Sequence, residues 1–303
     1  MTWDLIKLND GNYIPTIGFG TWKIPQGDTT VSQVDQALTV GFSHVDTAQM
    51  YRNEQEAGAA IRGSGLSRSE IFITTKYSGV DGLDIPTSIQ NSLKNLGVEY
   101  VDLYLIHHPR LARPDIPTAW AQLEEIKQKG LAKSIGVSNF GVGDIEILLA
   151  SAKVKPAVNQ IQLHPYVYRQ QLPILEQAIK HGIVIEAYSP LIPVTQRPGG
   201  PVEGPIRQIS ERLKVTTDQV LLAWAKSKGA VVLTTSSKKY RLEGYLRAGD
   251  LALTDGEIAA IDEAGGEGAR RWNARRWTQR LALTLFGGAV ALGLCSYLGI
   301  DLI

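Results

Sequence analysis

A single cysteine, Cys295, stands among 303 residues. This rules out an intrachain disulfide framework and a metal site built from clustered thiolates, and no metal is expected. Excess charge is missing too. With 31 basic and 30 acidic residues the net charge is +1, so the chain as a whole has no attraction for nucleic acid, and none is expected as a partner. The start, "MTWDLIKLNDG", has no basic opening followed by an apolar core, which predicts no secretory signal and a cytosolic body. Also absent is a G-x-G-x-x-G behind the first strand, the usual dinucleotide fingerprint. The 44% apolar fraction argues against disorder.

What is present alternates. "TIGFGT" (16–21), "SHVDTA" (43–48), "IFITTK" (71–76), "VDLYLIH" (101–107), "KSIGVS" (133–138), "AVNQIQ" (157–162), "IVIEAY" (183–188) and "AVVLTT" (230–235) read as buried strands. From the second onward their starts lie 28, 30, 32, 24, 26 and 47 residues apart; most gaps suit one βα unit, and the last has room for an extra loop and helix. Between them, segments such as 84–97, 116–130 and 216–229 carry apolar residues at helical spacing, a Ser, Thr or Asp near the start and a closing Gly. Eight such units predict a (β/α)₈ barrel rather than a doubly wound sheet.

Active sites of such barrels lie at the C-terminal strand ends. Those ends offer Asp46 and Tyr51 after the second strand, Lys76 closing the third and His107 closing the fourth. Taken singly, each has a structural use: Asp46 as a helix cap, Lys76 reaching to solvent, His107 in the core, Tyr51 in packing. Together they suggest more. A lysine desolvated at a barrel mouth needs a counter-charge, and Asp46 supplies one. A tyrosine beside that ammonium is expected to have its pKa lowered from near 10 towards working pH, as a general acid for a carbonyl oxygen requires. His107 is placed to orient the carbonyl with a hydrogen bond.

The ordered segments "GFSHVDTAQMYRNE", "ITTK", "LYLIHHP", "IGVSNF", "NQIQLHPY" and "AYSPL" resemble the aldo-keto reductase superfamily from about Leu8 to Ala264. The resemblance implies an NAD(P)H-dependent reductase with an Asp-Tyr-Lys-His tetrad, matched here by Asp46, Tyr51, Lys76 and His107. It also implies that Ser138, Asn139 and Gln160 hydrogen-bond the nicotinamide carboxamide, and that Tyr188 stacks on the ring. Departures follow. Ile192 and Pro193 stand where members often have Gly and a small polar residue at the pyrophosphate, so only Ser189 and the Leu191 backbone carry over. At the adenosine 2′-phosphate, Thr235 replaces a Lys and Tyr245 an Asn, while Ser236 and Arg241 remain, with Ser237, Lys238 and Lys239 nearby. Hydroxyls, a forked guanidinium and a mobile ammonium suit a phosphate, so NADPH is expected ahead of NADH. On the substrate side, Trp22 matches an aromatic wall, and His108 replaces a common Trp.

The end of the chain is of a different kind. Leu281 to Ile300 carry no charge, and five arginines with Trp272 and Trp277 precede them. Twenty residues at helical rise span about 30 Å, a bilayer core. The expected organisation is a barrel over 1–268, a basic and aromatic juxtamembrane segment over 269–280 and a single transmembrane anchor over 281–300. The catalytic domain would face the cytosol, with the endoplasmic reticulum favoured by Asp301. The expected activity is NADPH-dependent reduction of an aldehyde or ketone, with a lipophilic substrate suggested by the tail alone. The alternative is a cofactor-binding, redox-sensing subunit of a membrane complex. The sequence leaves the oligomeric state open.

Overall fold

The computed structural model describes residues 3–271. Two short strands, β1 (Leu5–Lys7) and β2 (Tyr13–Pro15), pair antiparallel. Eight parallel strands then close a barrel: β3 (Ile17–Gly20), β4 (His44–Asp46), β5 (Phe72–Tyr77), β6 (Val101–Ile106), β7 (Ala132–Ser138), β8 (Val158–Gln162), β9 (Val184–Tyr188) and β10 (Val231–Thr234). They follow chain order around the ring, and β10 bonds to both β9 and β3. Each of the eight runs expected as strands forms one of them. β6 shows why they read so plainly: all six of its residues are buried, so the run is continuously apolar or inward-bonded instead of alternating.

The barrel is wrapped by α1 (Asp28–Val40), α2 (Glu54–Gly63), α3 (Ile85–Leu96), α4 (Ile116–Gln128), α5 (Val142–Leu149) and α6 (Pro165–His181). The long interval before the last strand holds α7 (Ile192–Thr195), α8 (Glu203–Leu213) and α9 (Thr217–Ser227). α10 (Lys239–Arg247) and a helix over 255–271, α11, complete the described residues. In α3 the sequence signals act as physics requires. The Asp84 carboxylate accepts from the Thr87 N–H, and Gly97, at φ 66°, returns its N–H to Leu93 and Lys94. The buried stripe Ile85, Ile89, Leu93 and Leu96 lies between those caps. α2 packs so tightly on this helix that a Cβ on Gly58 would sit 2.3 Å from the Leu96 carbonyl oxygen.

The hairpin was not legible as a separate element. Leu8 and Ile14 of its loop and second strand pack with Leu103, Leu105, Val158 and Val231. Because Val158 and Val231 are first residues of their strands, the hairpin seals the N-terminal end and leaves the C-terminal end for chemistry.

The membrane expectation is corrected here. No helix among the described residues is long and apolar enough to cross a membrane. The last described helix, α11, is itself no span: over 255–271 it carries seven charged residues, which a bilayer core would have to desolvate. The segment Leu281 to Ile300, on which the anchor was based, lies outside the described residues. The anchored location, its endoplasmic reticulum assignment and the lipophilic substrate that depended on the anchor are withdrawn.

Candidate active site

Parallel strands point all their C-terminal ends the same way, so residues far apart in sequence meet at one mouth. Asp46 ends β4, and Lys76 lies near the end of β5 two residues beyond Thr74, the register partner of Asp46. The Lys76 side chain is fully buried, and its Nζ donates to both Asp46 oxygens, at 2.7 and 2.8 Å, and to the Thr47 carbonyl at 2.8 Å. Three protons meet three acceptors. Burial opposes the charge, but the adjacent carboxylate outweighs it and holds Lys76 above its ordinary range. The expected pairing is therefore present, and α2 begins behind Asn53 rather than Asp46.

Tyr51 closes a single 3₁₀ turn, Gln49–Tyr51. Asn53, fully buried just beyond it, fastens this turn to the loop after β3. Its Nδ2 donates to the Thr21 carbonyl at 2.9 Å and the Ile24 carbonyl at 3.2 Å, and its Oδ1 accepts from the Thr21 and Thr47 hydroxyls. Lys76 Nζ lies 5.0 Å from the Tyr51 ring centroid, and the His107 ring meets Tyr51 edge-on at 5.6 Å. The expected lowering of the Tyr51 pKa is not found. Burial pushes the phenol up to about 12, more than the Lys76 charge pulls it down. Tyr51 is thus a neutral phenol at ordinary pH.

His107 follows β6, and its Nδ1 lies 2.8 Å from the Ser78 hydroxyl. The other acceptor within reach of that hydroxyl, the Lys76 carbonyl, is at 3.4 Å. With Ser78 as donor to Nδ1 the neutral ring carries its proton on Nε2; with Nδ1–H as donor, the Ser78 hydroxyl turns to the Lys76 carbonyl. Burial, with Lys76 adding to it, lowers the His107 pKa to about 3, so the imidazole is neutral.

These groups open on a cavity of about 470 Å³. Of the residues singled out in the sequence, it is lined by Trp22, Asp46, Tyr51, His107, His108, Ser138, Asn139, Gln160, Tyr188, Ser189, Leu191, Ile192 and Thr235. Lys76 stands behind Asp46. Polar groups on the far side are already interlocked. Asn139 Nδ2 donates to the His107 carbonyl and the Ser138 hydroxyl, both at 3.0 Å, and its Oδ1 accepts from the Tyr188 hydroxyl at 2.8 Å. That last bond tethers the outer end of the Tyr188 ring. Gln160 Nε2 donates to Asp46 Oδ2 at 2.8 Å. Thr234 also lines the cavity, with a buried hydroxyl that has no hydrogen-bond partner.

Sequence reasoning missed Asn53, Ser78 and Thr234, and also the apolar wall that Met50 and Leu111 form with Ile192, which the sequence had placed only at the pyrophosphate loop. The "YRNE" segment carried the Asn53 signal: an amide one residue ahead of a helix and two after a candidate acid. Ser236, Ser237, Lys238 and Arg241 do not line the cavity; they sit in the turn after β10 and the start of α10. Arg241 Nη2 and Nε donate to Asp218 Oδ2 at 2.9 and 3.2 Å, a pairing across to α9 that the sequence did not suggest.

Residues 16–194 match the model of the aldo/keto reductase family. The chain is 38% identical over 266 residues to an NAD/NADP-dependent indole-3-acetaldehyde reductase of Schizosaccharomyces pombe, covering 85% of this chain and 92% of that one. It is 36% identical to an NADPH-dependent alpha-keto amide reductase of Saccharomyces cerevisiae, covering 86% and 90%. Among solved structures, a Brucella melitensis aldo/keto reductase superposes with TM-score 0.78 at 37% identity, covering 87% and 98%. A Bombyx mori aldo-keto reductase in complex with NADP superposes with TM-score 0.80 at 31% identity, covering 87% and 93%.

Proposed function

The chain belongs to the aldo/keto reductase family, and from that premise we propose that it reduces an aldehyde or ketone to an alcohol with NADPH, Tyr51 acting as general acid. The observation that carries this reading is the convergence of the buried Lys76–Asp46 pair, a neutral Tyr51 and a neutral His107 on one cavity.

The residues present suit a nicotinamide cofactor. Among the described residues the Thr234 hydroxyl is buried without a hydrogen-bond partner, and Gln160 lines the same cavity with both its amide protons directed at Asp46 and Glu186. Gln160, Ser138 and Asn139 would hold the carboxamide, and the steadied Tyr188 ring would stack on the nicotinamide. Ser189 and the Leu191 backbone would meet the pyrophosphate. Bound there, the nicotinamide supplies the hydride.

The chain's own groups handle the proton. His107 Nε2–H bonds to the substrate carbonyl oxygen and turns it towards Tyr51. The Tyr51 hydroxyl keeps its proton until negative charge develops on that oxygen, then donates it. The Lys76 ammonium favours the phenolate left behind, and Asp46 keeps Lys76 in place. Met50, Leu111, Ile192 and Trp22 present apolar surface to the rest of the substrate. Nothing in the site or in the related proteins favours the regulatory alternative. The test is loss of reduced-nicotinamide absorbance by the full chain with a panel of aldehydes and ketones. Turnover with members of the panel is expected; cofactor binding without turnover of any of them would sink the reading.

Cofactor preference has its own test. Asp218 occupies two donors of Arg241, weakening what that guanidinium offers a 2′-phosphate while leaving room for the hydroxyl of NADH. Asp218→Asn is expected to raise the NADPH-to-NADH ratio of kcat/KM about tenfold, some 1.4 kcal/mol. An unchanged ratio would remove Arg241 from the phosphate site.

A further inference from the structure

We propose that Glu186 is a positioning residue that holds Gln160 with its amide nitrogen inward and its carbonyl oxygen towards the nicotinamide carboxamide; this rests on the reading that Gln160 binds that carboxamide. Glu186 lies in β9 as the register partner of Gln160 in β8, and two residues before Tyr188, so strand alternation turns all three side chains into the barrel. Its carboxyl is completely buried. Gln160 Nε2 donates to Glu186 Oε2 at 2.5 Å and to Asp46 Oδ2 at 2.8 Å.

An amide nitrogen has two protons, and here each meets a carboxyl oxygen. Turned over, the Gln160 carbonyl would face those same two oxygens. Asp46, paired with Lys76, can only accept, and its contact with the carbonyl would be repulsive. Two inward anchors therefore fix the Oε1 direction, and Oε1 is the atom that would take a proton of the carboxamide NH₂. With Asp46 alone, one N–H remains unanchored and the amide is free to swing.

The rest of the surroundings give Glu186 no other strong partner. Among the described residues its Oε1 makes no hydrogen bond, and His44 Nε2 lies 3.6 Å from it. His44 is kept neutral by burial, and its Nε2 is engaged with the Thr74 hydroxyl at 2.9 Å. Lys76 is fully occupied by Asp46 and Thr47. A buried carboxyl with no bonded cation is a poor stabiliser of a fold. Its one strong contact is the one that orients Gln160.

The experiment measures dissociation constants of NADPH and of its 3-acetylpyridine analogue, in which methyl replaces the carboxamide NH₂. Calorimetry is run on the full chain, on Glu186→Met, which keeps the length but removes the acceptor, and on Glu186→Gln, which keeps an acceptor oxygen. The parent is expected to prefer NADPH about tenfold, the worth of one hydrogen bond. Glu186→Met loses that preference with binding of the analogue unchanged, and Glu186→Gln retains it. If Glu186→Met weakens both cofactors equally, or keeps the preference, the inference is overturned. A parent that does not discriminate overturns the Gln160 reading and the inference with it. A preference abolished by Gln160→Met but kept by Glu186→Met overturns the inference alone. Should Glu186→Met not fold, Glu186→Thr, too short to reach Gln160, is read in the same way.

Discussion

Tyr51→Phe is expected to lower kcat for aldehyde reduction about a thousandfold, within the range a positioned acid contributes, while the NADPH dissociation constant stays within about twofold. The substitution removes one oxygen. The ring still packs against His107 and near Lys76, so the barrel and its cofactor contacts are left alone. Because Tyr51 is held near 12, the acid form persists across the ordinary range, and kcat should show no loss between pH 7 and 9 from titration of this group. Steady-state kinetics with parallel cofactor titration provide the check. A variant retaining more than about a tenth of the parent kcat would move the proton donor elsewhere, with His107 Nε2 next in line.

Folding stability is expected to fall by roughly 3 kcal/mol between pH 7 and pH 5. His44, His107 and His164 are each kept neutral by burial, with pKa values lowered to about 3. In the unfolded chain they take protons below about 6.5, so stability is lost as pH falls from about 6.5 towards 3. At pH 5 this costs about 2 kcal/mol for each imidazole. Glu186 acts in the opposite sense. Burial, then the nearby Asp46 charge, raises it to about 8, so the folded chain holds a proton there that the unfolded chain releases above about 4.5. Lowering the pH from 7 to 5 therefore returns roughly 3 kcal/mol through Glu186. Denaturant midpoints at the two pH values measure the difference, and Glu186→Gln should enlarge it to about 6 kcal/mol by removing the opposing group. A midpoint that holds or rises at pH 5 in the parent would show that these histidines are not buried as neutral bases.

The barrel was legible because a parallel sheet covered on both faces needs continuous apolar runs, and VDLYLI and its counterparts supply them. The hairpin was not, since three residues per strand carry too little pattern. The tetrad could be placed because the strand ends were known, which put Asp46, Lys76 and His107 at one mouth. The Tyr51 pKa was misjudged for a specific reason: the sequence shows which charges are near, but not how much water remains. Glu186 was overlooked although a signal existed, an acid inside the otherwise apolar IVIEAY strand. Arg241 was expected to be available for a phosphate, but its pairing depends on a residue 23 positions earlier on another helix, a proximity no local pattern reveals. The apolar segment near the end was given a location from its hydropathy and its arginine and tryptophan flank, and the described structure does not carry that assignment.

The fastening of the Tyr51 turn through Asn53 makes this barrel divisible for redesign. Tyr51, the proposed proton donor, and the Lys76–Asp46 pair belong to one cassette formed by β4, β5 and the turn between β4 and α2, with the loop that bears Trp22 tied to it by Asn53. Leu111 and Ile192 belong to segments after β6 and β9 that share none of the Asn53 bonds. Those two segments can be exchanged for others of different shape to retarget the enzyme to new carbonyl compounds with Tyr51, Lys76 and Asp46 undisturbed, whereas grafts across the Trp22 loop would shift Tyr51.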